Sequence, residues 1–182
     1  MKMTAIILAG GKSSRMGEDK GLMLFNGKPM IQYIIDTVCV ITDQIIIVSN
    51  NKEYEKFKLP VYEDLIKNQG PLAGIYTGLN YTKTDKNIVL SCDVPFVSAE
   101  VVKELMANCK NAEVVIGEHN GRTHQLIGIY DQSIKAQLKE ELSNKQRKIK
   151  LVLEKLSCKT INLDHFNARI FSNINSRNDI EA

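Results

Sequence analysis

The stretch that most constrains this chain lies near its start. Thr4-Ala5-Ile6-Ile7-Leu8 is an unbroken apolar run, and it feeds straight into Ala9-Gly10-Gly11-Lys12-Ser13-Ser14-Arg15-Met16-Gly17-Glu18-Asp19-Lys20. A strand that ends in a glycine-rich, basic loop points to phosphate binding. Glycines lack a Cβ, so the backbone turns sharply and brings its N–H groups against an anion, while Arg15 and Lys20 add fixed positive charge. Two familiar phosphate loops do not fit the spacing. Gly11-Lys12-Ser13 looks like the end of a P-loop, but the glycine required five residues earlier is Ile6. Gly10, Gly11 and Gly17 also miss the Gly-x-Gly-x-x-Gly fingerprint of dinucleotide sites. The plainer reading is a glycine turn followed by a solvated basic loop.

Short β-branched runs alternate with amphipathic stretches along most of the 182 residues. That pattern predicts βαβ units in an α/β fold, a three-layer α/β/α sandwich around a Rossmann-like, mostly parallel sheet. Strands are expected over residues 4–8, 44–48, 87–92, 114–117, 126–130 and 168–171, and helices over 29–41, 71–81, 98–109, 132–142 and 148–156. Ile45-Ile46-Ile47-Val48 is apolar throughout, as a strand covered on both faces must be. Pro29 and Pro71 suit the first turns of two helices, and Gly74 and Gly78, four apart, are expected to allow close packing. In the second half, residues 117–130 read as a loop and an antiparallel strand. The length suits a single domain over residues 1–182.

Composition narrows the function classes. A net charge of +3 and 6% aromatic residues argue against nucleic acid, which needs a basic face or a stacking platform. No apolar run approaches the roughly 20 residues that span a membrane, and the first one leads into the glycine loop rather than a cleavage site, so a cytoplasmic protein is expected. Cys39, Cys92, Cys109 and Cys158 show no metal-ligand spacing and are expected as reduced, mostly buried thiols. The basic run from Lys145 to Lys150 reads first as a solvated helix start and second as an anion-facing segment.

Two carboxylates follow predicted strands. Asp93, in Ser91-Cys92-Asp93-Val94-Pro95-Phe96, stands just past a buried strand and is the candidate Mg2+ ligand. Magnesium on a nucleotide keeps several waters and needs only one or two protein carboxylates beside the phosphate oxygens. Asp64, after Val61-Tyr62-Glu63, is the candidate base reader, because a carboxylate accepts from both the ring N–H and the amine of guanine. The alternatives are a helix-capping or turn role for Asp93, and for Asp64 a structural role or replacement by Glu63 as the reader.

Leu8-Ala9-Gly10-Gly11-x-x-x-Arg15-Met16-Gly17-x-x-Lys20 resembles the signature loop of nucleotidyltransferases that activate a phosphorylated substrate with a nucleoside triphosphate. Asn26-Gly27-Lys28-Pro29, Glu63-Asp64, Gly70-Pro71-Leu72-Ala73-Gly74, Cys92-Asp93-Val94-Pro95-Phe96, Ile127-Gly128-Ile129-Tyr130 and Asn173-Ile174-Asn175 extend the match over nearly the whole chain. Together they are similar to the molybdenum cofactor guanylyltransferases of the MobA type. The resemblance implies GMP transfer from Mg-GTP to molybdopterin or its molybdenum-loaded form, with release of pyrophosphate. It implies that Leu8, Ala9, Gly10, Lys20, Asp64 and Asp93 contact GTP, with Asp93 also on magnesium, and that Asn173 and Asn175 face molybdopterin. Arg15, Lys20 and Asp93 form the expected catalytic set, with the Gly10-Gly11 backbone on the triphosphate. Transient contacts with cofactor-biosynthesis proteins and acceptor molybdoenzymes would follow. The Leu-Ala-Gly-Gly form resembles the guanylyl branch, whereas cytidylyl relatives tend to Leu-Ala-Ala-Gly. One departure is local: the family commonly has proline after the loop histidine, where this chain has Gln125 after His124. The competing readings are a cytidylyl or sugar-phosphate nucleotidyltransferase and a non-catalytic GTP- or pterin-binding module.

Overall fold

The computed structural model describes residues 2–10 and 19–174. Along the chain, β1 (Thr4–Leu8) is followed by the short hairpin of β2 (Leu24–Phe25) and β3 (Lys28–Pro29), then α1 (Met30–Cys39), β4 (Ile45–Val48) and β5 (Val61–Tyr62). Next come α2 (Pro71–Tyr81), β6 (Lys86–Ser91), α3 (Ala99–Ala107), β7 (Val114–His119) and β8 (Arg122–Asp131). The last elements are α4 (Lys135–Ser143), α5 (Ile149–Leu153) and β9 (Cys158–Asn162). The described residues contain a seven-stranded sheet in the order β5-β4-β1-β6-β8-β7-β9. Within it β8 runs antiparallel to both of its neighbours, while the other pairings are parallel. The mostly parallel sheet with an antiparallel element in the second half is thus the architecture that the sequence predicts.

Alternation along the strands divides the core into two layers. Ala5, Ile7, Ile45, Ile47, Ile88 and Leu90 pack with α1 and α3 on one face. Ile6, Leu8, Ile46, Val48 and Val89 pack with α2, α4 and α5 on the other. This is the period-2 consequence of a pleated strand covered on both sides. Each fully buried isoleucine contributes about 1.5–3 kcal/mol. On the second face α2 lies very close to β1: a Cβ on Gly78 would stand 2.4 Å from Ile6 Cγ2, and one on Gly74 would stand 3.1 Å from Leu8 Cδ2.

Three local expectations change. Residues 168–171 form a 3-10 turn, not a strand, because the Asn167 side chain accepts from the Arg169 N–H at 2.9 Å and starts the turn. The edge strand is β9, where Ile161 is the buried residue and the flanking positions are open to solvent, so the apolar signal is weak. Pro29 precedes α1 with φ −55° and ψ 139° and pairs with Leu24 in the short hairpin, while Pro71 does open α2. The segment after Gly117 is a true hairpin. Asn120 (φ 49°) and Gly121 (φ 72°) form its two-residue turn, a pair suited to left-handed backbone.

From β1 the chain moves outward to β4 and β5, then returns to β6 on the other side of β1. Connections leaving opposite ways open a crevice beyond the carboxyl ends of β1, β4 and β6, the position where open α/β sheets take ligands. No helix among the described residues is long and apolar enough to cross a membrane.

Candidate active site

A cavity of about 870 Å³ occupies that crevice. Leu8, Ala9 and Gly10 line it from β1, Val48 to Asn51 from the corner after β4, and Asp64 from the loop after β5. Pro71 and Gly74 close it from α2, and Ser91 and Leu126 from β6 and β8. The volume falls in the range of sites that enclose a small organic ligand. Gly10 has φ +138°, a conformation strained for any residue with a Cβ, and its α-carbon faces the Ser49 hydroxyl. The Ala9 N–H donates to the Val48 carbonyl at 2.9 Å, which ties the start of the loop to β4.

In the cavity wall Asp64 and Asn50 hold each other. The Asn50 amide donates to Asp64 Oδ2 at 2.8 Å, and the Asp64 backbone N–H donates back to Asn50 Oδ1 at 3.1 Å. Partial burial raises the Asp64 carboxyl above its ordinary value, with the Asn50 hydrogen bond and the Lys67 charge pulling the other way. A half-buried carboxylate in this position rewards a ligand that brings N–H donors. Asn50 was not among the residues expected from sequence, although Ser49-Asn50-Asn51 directly after a buried strand repeats the pattern that marks Asp64 and Asp93. Arg147 also lines the cavity, its guanidinium Nε donating to Gln69 Oε1 at 3.0 Å, so the basic run contributes a cation to the cleft.

Asp19 and Ser91 also line the cavity. Beyond Ser91, Cys92 is fully enclosed, and burial followed by the nearby charges of Asp93 and Asp19 pushes its thiol up to about 12. It is an inert spacer at neutral pH. Asp93 is half-buried, and its Oδ2 accepts from the Asn173 amide at 3.2 Å while its carbonyl accepts from the Ile174 N–H at 2.9 Å. Ile174 anchors that segment among Met23, Phe25 and Met30. Asn173, expected on the molybdopterin side, therefore touches the candidate metal ligand directly. Lys20 opens a 3-10 turn, Lys20–Leu22, capped by the Asp19 side chain. Gly11, Arg15 and Asn175 lie outside the described residues.

His119 and His124 are packed against one ring. His119 is buried, with Nε2 3.1 Å from the Phe166 carbonyl and its ring stacked on Phe171 at 4.6 Å. His124 leans on the same Phe171 ring at 5.0 Å. At Gln125 the register between β7 and β8 slips from Ile116↔Gly128 to Gly117↔His124, a bulge that turns the strand. The Tyr130 hydroxyl donates to the Gln125 carbonyl at 2.6 Å across the bulge.

Residues 5–160 match the family of MobA-like NTP transferase domains. The chain belongs to that family. It is 37% identical over 179 residues to a Flavobacterium johnsoniae protein named probable molybdenum cofactor guanylyltransferase, with 98% of this chain and 94% of the relative covered. A molybdenum cofactor guanylyltransferase of Yersinia pestis (strain Pestoides F) is 35% identical over 183 residues, covering 98% and 93%. The solved structure of molybdopterin-guanine dinucleotide biosynthesis protein A from Archaeoglobus fulgidus matches with a TM-score of 0.83 at 25% identity, over 98% of this chain and 95% of that one.

For a MobA-like domain the donor set at Asp93 matters. No group of three or more His, Cys, Asp or Glu that could hold a metal occurs among the described residues. One half-buried carboxylate beside a cleft fits a magnesium ion that arrives on a triphosphate and draws most of its oxygens from phosphate and water. It does not fit a tightly held resident metal.

Proposed function

We propose that the chain transfers GMP from Mg-GTP to the terminal phosphate of molybdopterin or its molybdenum-loaded form, releasing pyrophosphate and leaving a guanine dinucleotide. The observation that carries this reading is the Asp64–Asn50 pair facing the cavity that begins at Gly10. The carboxylate accepts from the ring N–H and exocyclic amine of guanine. Adenine offers an unprotonated ring nitrogen at that edge and sets lone pair against lone pair.

The chemistry asks little of the protein in proton transfer. A phosphate monoester loses its second proton with a pKa of about 6, so the attacking oxygen is already ionised at neutral pH. That oxygen forms the new bond to the α-phosphorus as the bond to pyrophosphate breaks. The barrier is the meeting of anions and the charge that grows on the leaving oxygen, so orientation and neutralisation supply the rate. In this reading the Gly10-Gly11 backbone cradles the triphosphate, Lys20 and Arg15 neutralise it, and Leu8 and Ala9 wall the nucleotide. Asp93 would hold the magnesium, which would offset charge on the phosphate oxygens. Asn173 and Asn175 face the pterin substrate, and Asn173 also orients Asp93. A single functional unit over residues 1–182, a cytoplasmic setting, and transient contacts with cofactor-biosynthesis proteins and acceptor molybdoenzymes belong to the same proposal.

Competition among the four nucleoside triphosphates, with molybdopterin present and pyrophosphate release as the readout, tests it. GTP is expected to turn over fastest. A preference for CTP would overturn the base assignment, and GTP binding without pyrophosphate release would overturn the enzyme in favour of a binding module.

A further inference from the structure

Asp19 lines the cavity, but its side chain is turned back into the protein. Its Oδ1 accepts from the Gly21 N–H at 3.2 Å and from the Tyr54 hydroxyl, and its Oδ2 accepts from the Asn51 amide at 3.1 Å. The first of these bonds caps the 3-10 turn that Lys20 begins, and the Asp19 carbonyl closes the same turn by accepting from the Leu22 N–H at 3.0 Å. Tyr54 has no exposed surface. Its O–H comes so close beneath the turn that a Cβ on Gly21 would stand 2.3 Å from it. Burial, then the neighbouring Cys92, Asp19 and Glu53, drive the phenol far above its ordinary range, so it remains a hydrogen-bond donor at any working pH.

Asn51 closes the frame. Its amide reaches Asp19, its Oδ1 accepts from the Glu53 N–H at 3.0 Å to start the turn that carries Tyr54, and its own N–H donates to Ser49 Oγ at 3.1 Å. The preceding residue, Asn50, holds Asp64. One corner after β4 therefore supports both the residue read as contacting the base and the turn that bears Lys20. Only a carboxylate suits the centre of this network: three donors converge on Asp19, and an amide would turn an NH2 toward one of them.

We propose that Asp19 and Tyr54 are positioning residues for the reaction, holding the backbone of the Lys20 turn at a fixed place on the phosphate side of the cleft. The proposal rests on the reading of Lys20 as a phosphate ligand. A lysine on a flexible stem neutralises phosphate well only when its backbone is anchored, and misplacement of a charged group by about an ångström is enough to cost rate.

A double-mutant cycle on the full-length enzyme tests it, because each variant also loses some stability whatever its role. Tyr54→Phe deletes one oxygen and keeps the ring. It is expected to lower kcat for GTP about tenfold in the wild type, and by less than about twofold further in a Lys20→Ala background, where there is no ammonium left to place. Asp19→Asn is expected to show the same non-additivity and serves if Tyr54→Phe does not accumulate. Unchanged kinetics in Tyr54→Phe, or an equal loss in both backgrounds, would overturn the positioning role. Wild-type kinetics in Lys20→Ala alone would overturn the lysine assignment first and this proposal with it.

Discussion

The two halves of the sheet end differently. On the parallel side β1, β4, β5 and β6 all finish at one edge, and each passes into a polar segment: Gly10, Ser49-Asn50-Asn51, Asp64 and Asp93. On the other side β7 turns back at once through Asn120-Gly121 into β8, and the adjoining surface is filled by His119, His124, Phe166 and Phe171. A parallel strand needs a long crossover, which leaves a loop free to carry chemistry above the sheet. A hairpin has no such loop. The rings of His119 and His124 on the hairpin side are accordingly spent on packing, and on the crossover side Asp64 lines the cleft while Asp93 stands just past the end of β6.

Substitutions on the two sides should separate cleanly. Asp93→Asn is expected to have the largest effect, a fall in turnover of about a hundredfold or more with the fold retained, because in the proposed reaction it removes charge beside the α-phosphate and keeps shape. Pyrophosphate release at saturating magnesium checks it, and a near-normal rate would remove Asp93 from the chemistry. Asp64→Ala should lower kcat/KM for GTP by roughly tenfold to a hundredfold and leave the poorer nucleotides little changed, narrowing selectivity. Equal losses for all four triphosphates would make the Asp64–Asn50 pair a scaffold instead of a reader.

Below the cleft, Gly78→Ala should cost about 1–3 kcal/mol of stability by forcing α2 away from Ile6, measured by denaturant unfolding. Because Gly74 lies on the same helix and lines the cavity, a rise in GTP KM should accompany it. His124→Gln should have the smallest effect on catalysis, within about twofold, as a packed ring outside the reaction implies. Its signature is in pH. Burial first, then the charges of Arg122 and His119, lower the His124 pKa from 6.5. The unfolded chain therefore takes up this proton more readily than the folded one. Stability from this group is complete above 6.5 and lost as pH falls through the lower folded value. Unfolding midpoints measured from pH 7 to 5 should fall less steeply in the variant, and an unchanged slope would exclude His124 as a source of acid sensitivity.

The parts legible in the sequence were those governed by near neighbours. Continuous apolar runs in β1, β4 and β6 told of strands covered on both faces, and the carboxylates just past two strands marked the edge where ligands sit. The exceptions were also local in origin. Ala168–Phe171 carries apolar residues in a turn set by the Asn167 cap, whereas β9 is an edge strand with one buried side chain and little pattern to betray it. The Asn120-Gly121 turn is readable from its residue types alone, because both residues tolerate a positive φ.

By itself, then, the sequence determined the layered α/β architecture and the standing of Asp64 and Asp93 just past the ends of strands, because periodicity, turn chemistry and motif spacing act over a few residues. Only the tertiary structure decided the partnerships. Tyr54 reaches Asp19 across 35 positions, and Asn173 reaches Asp93 across 80. Asn50 stands against Asp64, and Arg147 enters the cleft from the loop between α4 and α5. A hydrogen bond has no signature along the chain. It exists once the sheet order brings two ends together, and that order is set by the packing of both helical layers at once.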